Sequence, residues 1–336
     1  MADVTQFDSF EDLIIPTNGI RIHAVAAGSG PLVLLVHGFP ESWYSWRHQL
    51  PALAAAGYRA VAIDVRGYGR SSQPTAIDAY RMVCHVGDNV GIVAALGYDR
   101  AVVVGHDWGA PIAWNSALLR PDVFTAVAGL SVPFSPRSAT RPSAAFRAMG
   151  GAEEFYIEYF QQPGRAEAEI EKDVRKWLGG FYLSASGAAP PMIANGGTMA
   201  TIPAGGEMQD RFQFPDPASM PQWLSEADVN AYASEFERSG LTGGLNRYRN
   251  VDRDWEDFGA FSGLVINVPA LFVGGSKDGP TLWGAKAIEA FPRTLPKLWR
   301  SVVLEGCGHW TQQERPEAVN KELVDFLHAT SRGRVT

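Results

Sequence analysis

Up to about residue 130, short β-rich runs alternate with longer stretches of helical pattern. The β-rich runs cover 21–26, 32–36, 60–63, 101–104 and 125–130. The stretches of helical pattern cover 43–56, 79–96 and 111–119. Runs 32–36 and 101–104 are apolar at every position, which is typical of strands covered on both faces. Strands that alternate with helices predict βαβ units and an α/β fold with a mostly parallel, doubly wound sheet.

The pattern changes in the middle of the chain, where no strong strand signal interrupts the helices. Helical patterns cover 153–160, 165–181 and 226–239, and a Gly/Pro-rich segment covers 186–217. Prolines forbid a regular helix in that segment, at Pro191, Pro203, Pro215 and Pro217. Strand patterns resume at 270–273 and 301–304, and a last helix follows Pro316 at 317–330. We therefore predict a sheet core formed by residues 1–133 and 255–336, with a helical cap (a lid) inserted at 134–254.

Composition and charge narrow the class of protein. The 336 residues are 46% hydrophobic and 19% charged, which is ordinary for a globular protein and excludes a disordered chain. The formal net charge of −7 argues against a nucleic-acid partner or an anionic membrane surface. Residues 1–12 are acidic and lack the apolar centre of a signal peptide, and no apolar run reaches the length of a membrane helix. We therefore expect a soluble, cytoplasmic protein.

The cysteines and the other metal-binding residue types predict no metal site. Cys84 and Cys307 are not part of a C-x-x-C pair, so they indicate neither a thiolate zinc site nor a disulfide framework. We expect both to be buried thiols in a reducing compartment. No cluster of ligand residues has metal-binding spacing, and the sequence implies no metal and no organic cofactor.

Candidate chemistry follows the predicted strands, because parallel sheets of this kind place their working residues at the carboxyl ends of strands. Run 101–104 is followed by 105–109 (GHDWG) and then by a helix. This is the G-x-nucleophile-x-G elbow of hydrolases, with Asp107 where many of them carry serine. The flanking glycines suit a tight strand-turn-helix, and the helix dipole favours a carboxylate there. The alternative is that Asp107 is only the N-cap of its helix.

Two further strand ends supply an acid and a histidine. Asp278 follows run 270–273, and His309 follows run 301–304. Taken singly, each residue is typical of a turn or a loop. Nucleophile, acid and histidine nevertheless follow one another in the order known for hydrolases with this elbow. Together they predict a catalytic triad of Asp107, Asp278 and His309.

The loop after run 32–36 is the expected source of an oxyanion hole. Its sequence, 37–40 (HGFP), lies where one backbone N–H is donated, and the residue after the nucleophile donates the other. The predicted donors are the amides of Phe39 and Trp108. A plain turn is the alternative for the loop.

An aspartate nucleophile implies chemistry that serine would not perform. Its carboxylate is ionised at neutral pH, so Asp107 needs no base to attack an sp³ carbon and form an alkyl ester. His309, oriented by Asp278, would then activate a water that attacks the carbonyl carbon of Asp107. The oxyanion would lie on the amides of Phe39 and Trp108. Both an epoxide oxygen and a halide fit as the leaving group.

Long motifs of the chain carry a family resemblance that extends over residues 20–326. They are 37–47 (HGFPESWYSWR), 64–72 (DVRGYGRSS), 105–109 (GHDWG) and 306–312 (GCGHWTQ). The chain resembles the soluble epoxide hydrolases of the α/β-hydrolase fold, in which two cap tyrosines hydrogen-bond the epoxide oxygen. Segments 155–164 and 245–250 are similar to the family's tyrosine segments, and they imply these roles for Tyr156 and Tyr248.

Tyrosine suits this role because a phenol with a pKa of about 10 is protonated at neutral pH and can donate to an alkoxide. Tyr159 is the alternative to Tyr156, since it lies three residues away on the same predicted helix. The match of residues 161–164 to the family favours Tyr156. The chain departs from the family pattern at 186–217, which is hard to align, and at Gly279, where bulkier residues are common.

The predicted activity is the hydrolysis of an epoxide to a vicinal diol, with a small-molecule epoxide and water as partners. A haloalkane dehalogenase is the alternative, because it shares the aspartate, the histidine and a tryptophan after the nucleophile. A third interpretation is a non-catalytic ligand-binding protein on the same scaffold. We expect an apolar pocket in which Phe39, Trp108 and Trp310 contact the substrate.

Overall fold

One large sheet dominates the computed structural model, which describes residues 10–189, 199–216 and 220–333. The strands are β1 (Glu11–Thr17), β2 (Ile20–Ala27), β3 (Leu32–Val36), β4 (Arg59–Ile63), β5 (Ala101–His106), β6 (Phe124–Leu130), β7 (Glu154–Phe155), β8 (Thr201–Ile202), β9 (Ala270–Gly275) and β10 (Leu298–Leu304). The large sheet has the order β1-β2-β4-β3-β5-β6-β9-β10, and β7 pairs with β8. β1 and β2 run antiparallel to their neighbours, and all other neighbours in the large sheet are parallel. The predicted mostly parallel sheet is confirmed.

Helices flank this sheet and fill the insertion between β6 and β9. They are α1 (Gln49–Ala55), α2 (Met82–Ala95), α3 (Gly109–Leu119), α4 (Pro142–Gly150), α5 (Tyr156–Tyr159), α6 (Arg165–Ile170), α7 (Val174–Ser184), α8 (Glu226–Ser239), α9 (Thr242–Tyr248), α10 (Val251–Asp257), α11 (Gly279–Trp283), α12 (Ala285–Glu289), α13 (Phe291–Thr294), α14 (Thr311–Glu314) and α15 (Pro316–Ser331). Single 3-10 turns lie at Trp43–Trp46, Ile77–Tyr80, Met208–Arg211 and Phe258–Phe261. The division of the chain at 134 and 254 stays a prediction, and α10 continues across the second of these positions.

Several predicted elements differ from the observed ones for local reasons. Predicted helix 43–56 is a 3-10 turn followed by α1, and predicted helix 153–160 is reduced to β7 and the one turn of α5. Predicted helix 165–181 breaks into α6 and α7, because the Asp173 side chain accepts a hydrogen bond from the Lys176 amide (3.0 Å) and starts a new helix. Within the Gly/Pro-rich segment, Pro191 and Pro217 lie outside the described residues.

The central strands are covered on both faces, as β3 shows. All of its residues are buried. Leu34 and Val36 belong to one apolar cluster, whereas Val33 and Leu35 belong to another. Alternate side chains of a strand point to opposite faces, so the two clusters are the two sides of the sheet. This arrangement explains why the run is apolar at every position.

The insertion packs over the loops that follow β3 and β4. The hydroxyl of Tyr182 in α7 donates to the carbonyl oxygen of Pro40 at 2.5 Å. A Cβ added to Gly67 would lie 2.9 Å from the Cα of Gly243 in α9. Glycine is therefore needed where these two backbones meet. The contact closes the insertion over the carboxyl ends of the parallel strands.

Two general expectations can be set beside the structure. Within the described ranges, no helix combines the length and the apolar character that a membrane span requires. Cys307 is buried, but Cys84 is only partly buried, and both are free thiols.

Candidate active site

Asp107 lies at the tip of a tight elbow between β5 and α3. Its φ is +50°, a left-handed conformation that non-glycine residues rarely adopt. A Cβ on Gly105 would lie 1.9 Å from the carbonyl oxygen of Gly109, and a Cβ on Gly109 would lie 2.0 Å from that of Val36. Both glycines are therefore required by contact. Backbone strain held in this way is typical of functional sites.

The Asp107 carboxylate reaches two other loops. Its Oδ1 accepts a hydrogen bond from the Phe39 amide at 2.7 Å, and its Oδ2 lies 3.4 Å from Nε2 of His309. The N-cap position of α3 is occupied by Trp108. The interpretation of Asp107 as only an N-cap is therefore wrong. Phe39, one of the two expected oxyanion donors, already points its N–H at this carboxylate.

His309 lies between two carboxylates. Its Nδ1 is 2.8 Å from Oδ1 of Asp278, and its Nε2 faces Asp107. Burial alone would lower the pKa of His309, but the charges of Asp278 and Asp107 outweigh burial and hold this pKa well above its usual value. The structure thus brings together the three residues of the predicted triad.

Asp278 is fully buried and is held by residues that sequence reasoning missed. Its Oδ2 accepts hydrogen bonds from the Ser131 hydroxyl (2.8 Å) and the Thr281 amide (3.1 Å), and the Thr281 hydroxyl lies 2.6 Å away. A carboxylate buried to this extent needs such hydrogen-bond donors, because bulk water does not reach it. Ser131 could have been found by the rule that identified the triad, because it directly follows β6.

A second buried ion pair, Glu41 with His106, joins three loops of the site. Nδ1 of His106 lies 2.7 Å from Oε2 of Glu41, and Nε2 lies 2.7 Å from the carbonyl oxygen of His309. The imidazole of His106 thus bridges the Glu41 carboxylate and the backbone of the His309 loop. Burial would raise the pKa of Glu41, but the charge and hydrogen bond of His106, with the charge of His37 and the hydrogen bond of Ser45, together outweigh burial and lower this pKa to about 2. Glu41 also accepts from the amide of Gly38 (2.9 Å). Glu41 lies in motif 37–47 and His106 in motif 105–109, but the sequence predicts roles only for their neighbours Phe39 and Asp107.

Tyr156 and Tyr248 approach the site from the insertion. Tyr156 begins α5 and Tyr248 ends α9, and their ring centroids are 6.1 Å apart. The Tyr248 ring packs edge-on against Phe39 (5.3 Å) and Trp108 (5.1 Å). Burial, followed by the charge of Asp107, raises the pKa of both phenols above the usual value. Both hydroxyls are therefore protonated at neutral pH and are hydrogen-bond donors.

Tyr159, the alternative donor, points elsewhere. Its hydroxyl donates to Oε2 of Glu169 at 2.6 Å. The same carboxylate accepts from the indole of Trp177 (2.8 Å) and the amide of Met208 (3.0 Å). Tyr159 thus belongs to a buried network that joins α5, α6 and α7, and Tyr156 is the tyrosine of this helix that faces the nucleophile.

One cavity of about 470 Å³ contains the reacting groups. Asp107, His309, Tyr156 and Tyr248 all contribute to its lining. The rest of the wall is mainly apolar and includes Phe39, Phe181, Met199, Ala200, Met208, Leu282 and Trp283. A mainly apolar pocket with a few convergent polar groups is the usual form of a small-molecule site.

Of the three residues expected to contact the substrate, only Phe39 lines this cavity. Trp310 is fully buried behind His309, at 4.6 Å between ring centroids, and its indole N–H donates to the carbonyl oxygen of Tyr182 at 2.8 Å. Trp108 packs between Tyr248 and the guanidinium of Arg247, which lies 4.6 Å from its ring centroid. The expectation of substrate contact for Trp108 and Trp310 is not supported by this placement.

Comparisons with known proteins agree with this geometry. The family described as alpha/beta hydrolase fold matches residues 31–185. Epoxide hydrolase B of Mycobacterium tuberculosis is 44% identical over 94% of this chain and 97% of its own length, and epoxide hydrolase A of the same organism is 45% identical over 94% and 96%. The structure of an epoxide hydrolase from an endophytic Streptomyces is similar with a TM-score of 0.94, 60% identity and 97% coverage of both chains. The chain therefore belongs to the epoxide hydrolases of the alpha/beta hydrolase fold.

Proposed function

We propose that this protein converts epoxides to vicinal diols through a covalent ester on Asp107. The observation that carries the proposal is the shared cavity, in which a carboxylate, a histidine and two protonated phenols converge. A carboxylate and a proton donor on opposite sides of a small apolar space are what the opening of an epoxide requires. The substrates are a small-molecule epoxide and water.

In the first step, Oδ2 of Asp107 attacks a ring carbon and the carbon–oxygen bond of the epoxide breaks. Oδ1 is held by the Phe39 amide, so Oδ2 is the oxygen that is free to attack. The electron pair of the broken bond goes to the epoxide oxygen, which accepts a proton from Tyr156 or Tyr248. Because Asp107 loses its charge as the ester forms, the phenols become more acidic when the alkoxide develops.

In the second step, His309 removes a proton from water, which attacks Cγ of Asp107. Ester formation neutralises one of the two carboxylates that raise the pKa of His309, so this pKa falls and His309 becomes a base when one is needed. The amide of Phe39 donates to the oxyanion on Oδ1, and we assign the second donation to the Trp108 amide. The intermediate collapses by breaking the bond between Cγ and the ester oxygen, which leaves in the diol with the proton of the attacking hydroxyl and restores the Asp107 carboxylate. The proton that His309 took from water returns by way of solvent to the phenolate formed in the first step.

The two phenols favour an epoxide over a halide as the leaving group. An alkoxide needs a proton, which a neutral phenol supplies, whereas a halide leaves as a stable anion and needs none. Formation of styrene glycol from styrene oxide, measured beside halide release from a bromoalkane, separates the two activities. Halide release without epoxide turnover would reject the proposal, and binding of styrene oxide without turnover would indicate a non-catalytic protein.

Oxygen-18 water tests the covalent step. In a single turnover, solvent oxygen should enter the peptide that carries Asp107, while the diol receives its new oxygen from the carboxylate. Peptide mapping by mass spectrometry reads the first label, and analysis of the diol reads the second. Direct transfer of solvent oxygen to the diol would contradict an ester on Asp107.

A cytoplasmic location also stays a proposal, based on the sequence expectations above.

A further inference from the structure

Ser131, the first residue after β6, contacts two members of the triad with one hydroxyl. Its Oγ lies 2.8 Å from Oδ2 of Asp278 and 2.9 Å from Nδ1 of His309. Ser131 is fully buried, so bulk water does not compete for these contacts. A hydroxyl can donate to a carboxylate and accept from a protonated ring nitrogen at the same time.

This arrangement selects one tautomer of neutral His309. With the proton on Nδ1, the ring donates toward Asp278 and Ser131, and the lone pair of Nε2 faces Asp107. With the proton on Nε2, the lone pair of Nδ1 would face the Asp278 carboxylate at 2.8 Å. The Ser131 hydroxyl could then donate to Nδ1 only by giving up its hydrogen bond to Asp278. The first tautomer is the one in which Nε2 can accept a proton from water.

The backbone conformation of Ser131 indicates a functional role for its side chain. Its φ is +70°, in the left-handed region that glycine adopts freely and other residues do not. Hydrogen bonds hold this conformation on both sides: the Ser131 amide donates to the carbonyl oxygen of Val273 (2.9 Å), and its carbonyl oxygen accepts from the Thr281 hydroxyl (2.9 Å). Glycine would satisfy the same backbone without strain, so only the hydroxyl distinguishes serine here.

We propose that Ser131 is a positioning residue for the hydrolytic half-reaction, in which it holds His309 in the base tautomer and fixes the Asp278 carboxylate. The proposal rests on the roles assigned above to Asp107 and His309. It makes a kinetic distinction, because Asp107 attacks the epoxide without a base whereas water needs one. Loss of the hydroxyl should therefore slow the breakdown of the ester and leave its formation unchanged.

Rapid-quench kinetics with styrene oxide and intact-protein mass spectrometry test this distinction for Ser131→Ala. We expect at least a tenfold slower decay of the ester and a rate of formation within about twofold of the parent enzyme. As long as the ester does not revert to epoxide, which the quench experiment measures directly, kcat and KM should fall together and kcat/KM should stay within about twofold. A general disturbance of the site would lower kcat/KM as well, so this readout separates positioning from a merely structural role.

Ser131→Gly is the matched variant, because it removes the same hydroxyl and relieves the backbone strain. We expect the same slow decay of the ester, together with a higher melting temperature than that of Ser131→Ala. Parent-like decay in Ser131→Gly overturns the proposal, even if Ser131→Ala fails to fold. His309→Gln serves as the control that accumulates ester. Absence of any ester in His309→Gln would instead overturn the proposed function, which keeps the two failures distinguishable.

Discussion

At the scale of single residues, the two oxygens of the Asp107 carboxylate have different surroundings. Oδ1 is fixed by a backbone donor, and Oδ2 faces His309 at 3.4 Å. The phenols of Tyr156 and Tyr248 complete the cavity around this carboxylate. The same cavity therefore offers a bound epoxide both the attacking carboxylate and two proton donors.

Replacement of the phenols by phenylalanine tests whether both of them donate. A hydrogen bond to a developing charge contributes about 1.5–3 kcal/mol, so Tyr156→Phe or Tyr248→Phe should lower kcat/KM roughly 10- to 100-fold. The double variant should lose more than either single variant, in steady-state assays of diol formation. The matched control is Tyr159→Phe, which we expect to keep kcat/KM within about twofold. A single variant as inactive as the double variant would indicate only one donor.

The triad could be predicted residue by residue because a simple rule governs it. Asp107, Asp278 and His309 each follow a strand of one parallel sheet, and the ends of such strands meet at one edge. The rule does not predict the orientation of Trp310, because a residue next to a catalytic residue in sequence can point away from the substrate. Its indole turns inward to Tyr182, and only the folded backbone shows this. The contact of Ser131 with the triad likewise depends on a left-handed residue that no periodicity reveals.

At the scale of elements, the site depends on loops that are locked to one another. Glu41, from the loop after β3, is paired with His106 at the end of β5, and His106 in turn holds the carbonyl oxygen of His309. Three loops from different strands are thus fixed by one buried ion pair. Breaking such a pair leaves an uncompensated buried charge, which is strongly destabilising.

Glu41→Gln should therefore destabilise the protein and change its response to acid. The folded-state pKa of Glu41 is about 2, below the unfolded value of about 4.5, so its contribution is complete above pH 4.5 and is lost as the pH falls toward 2. That contribution is on the order of 3 kcal/mol. Urea unfolding should show a lower free energy of unfolding at pH 7 and a shallower pH dependence between pH 4.5 and 2. In the control Glu11→Gln, an exposed pair with Arg59 is lost, and the change should stay below about 1 kcal/mol.

The elbow between β5 and α3 should tolerate no side chain at its glycines. In Gly105→Ala, the Cβ would meet the carbonyl oxygen of Gly109 at 1.9 Å, so the backbone must shift and displace Asp107. We expect loss of epoxide turnover and a lower melting temperature. Gly259→Ala is the control, because its Cβ would meet open space, and its free energy of unfolding should change by less than about 0.5 kcal/mol. Parent-like turnover in Gly105→Ala would contradict the contact.

Helices and strands with a clear hydrophobic pattern could be predicted from the sequence. Those whose bounds depend on local contacts could not. Run 32–36 was identifiable because both faces of β3 are buried. β1 escapes prediction because Pro16 and its charged start obscure the pattern, and its outer position in the sheet leaves half of it exposed. The break between α6 and α7 depends on a single cap at Asp173, which a continuous helical period does not show.

At the scale of the whole molecule, the cap and the sheet together create the apolar space in which the reaction is proposed to occur. The sheet contributes Asp107 and His309, and the insertion contributes Tyr156, Tyr248 and much of the apolar wall. The order of the elements predicted such an insertion, but its packing depends on close backbone contacts such as that between Gly67 and Gly243. The shape of the cavity could therefore not be predicted from the sequence, although its position over the strand ends could.

The apolar wall predicts a preference for longer alkyl epoxides. Burial of one methylene contributes about 0.8 kcal/mol, which corresponds to roughly a fourfold increase in kcat/KM when the group is buried in the transition state. From 1,2-epoxybutane to 1,2-epoxyhexane, which differ by two methylenes, kcat/KM should therefore rise by about fifteenfold. Steady-state measurements on this pair, with 1,2-epoxyoctane as the next member, determine the increment for each methylene.

Two exposed apolar residues provide a matched pair of variants for this measurement. Leu282 lines the cavity and is 58% exposed, whereas Met149 is 45% exposed and lies outside the cavity lining. Leu282→Ser should reduce the increment for the longest epoxide, because the alkyl chain loses an apolar partner at that wall. Met149→Ser should leave the increment unchanged. If kcat/KM does not rise with chain length in the parent enzyme, the alkyl chain does not lie along this wall. The same conclusion holds if both substitutions change this rise equally.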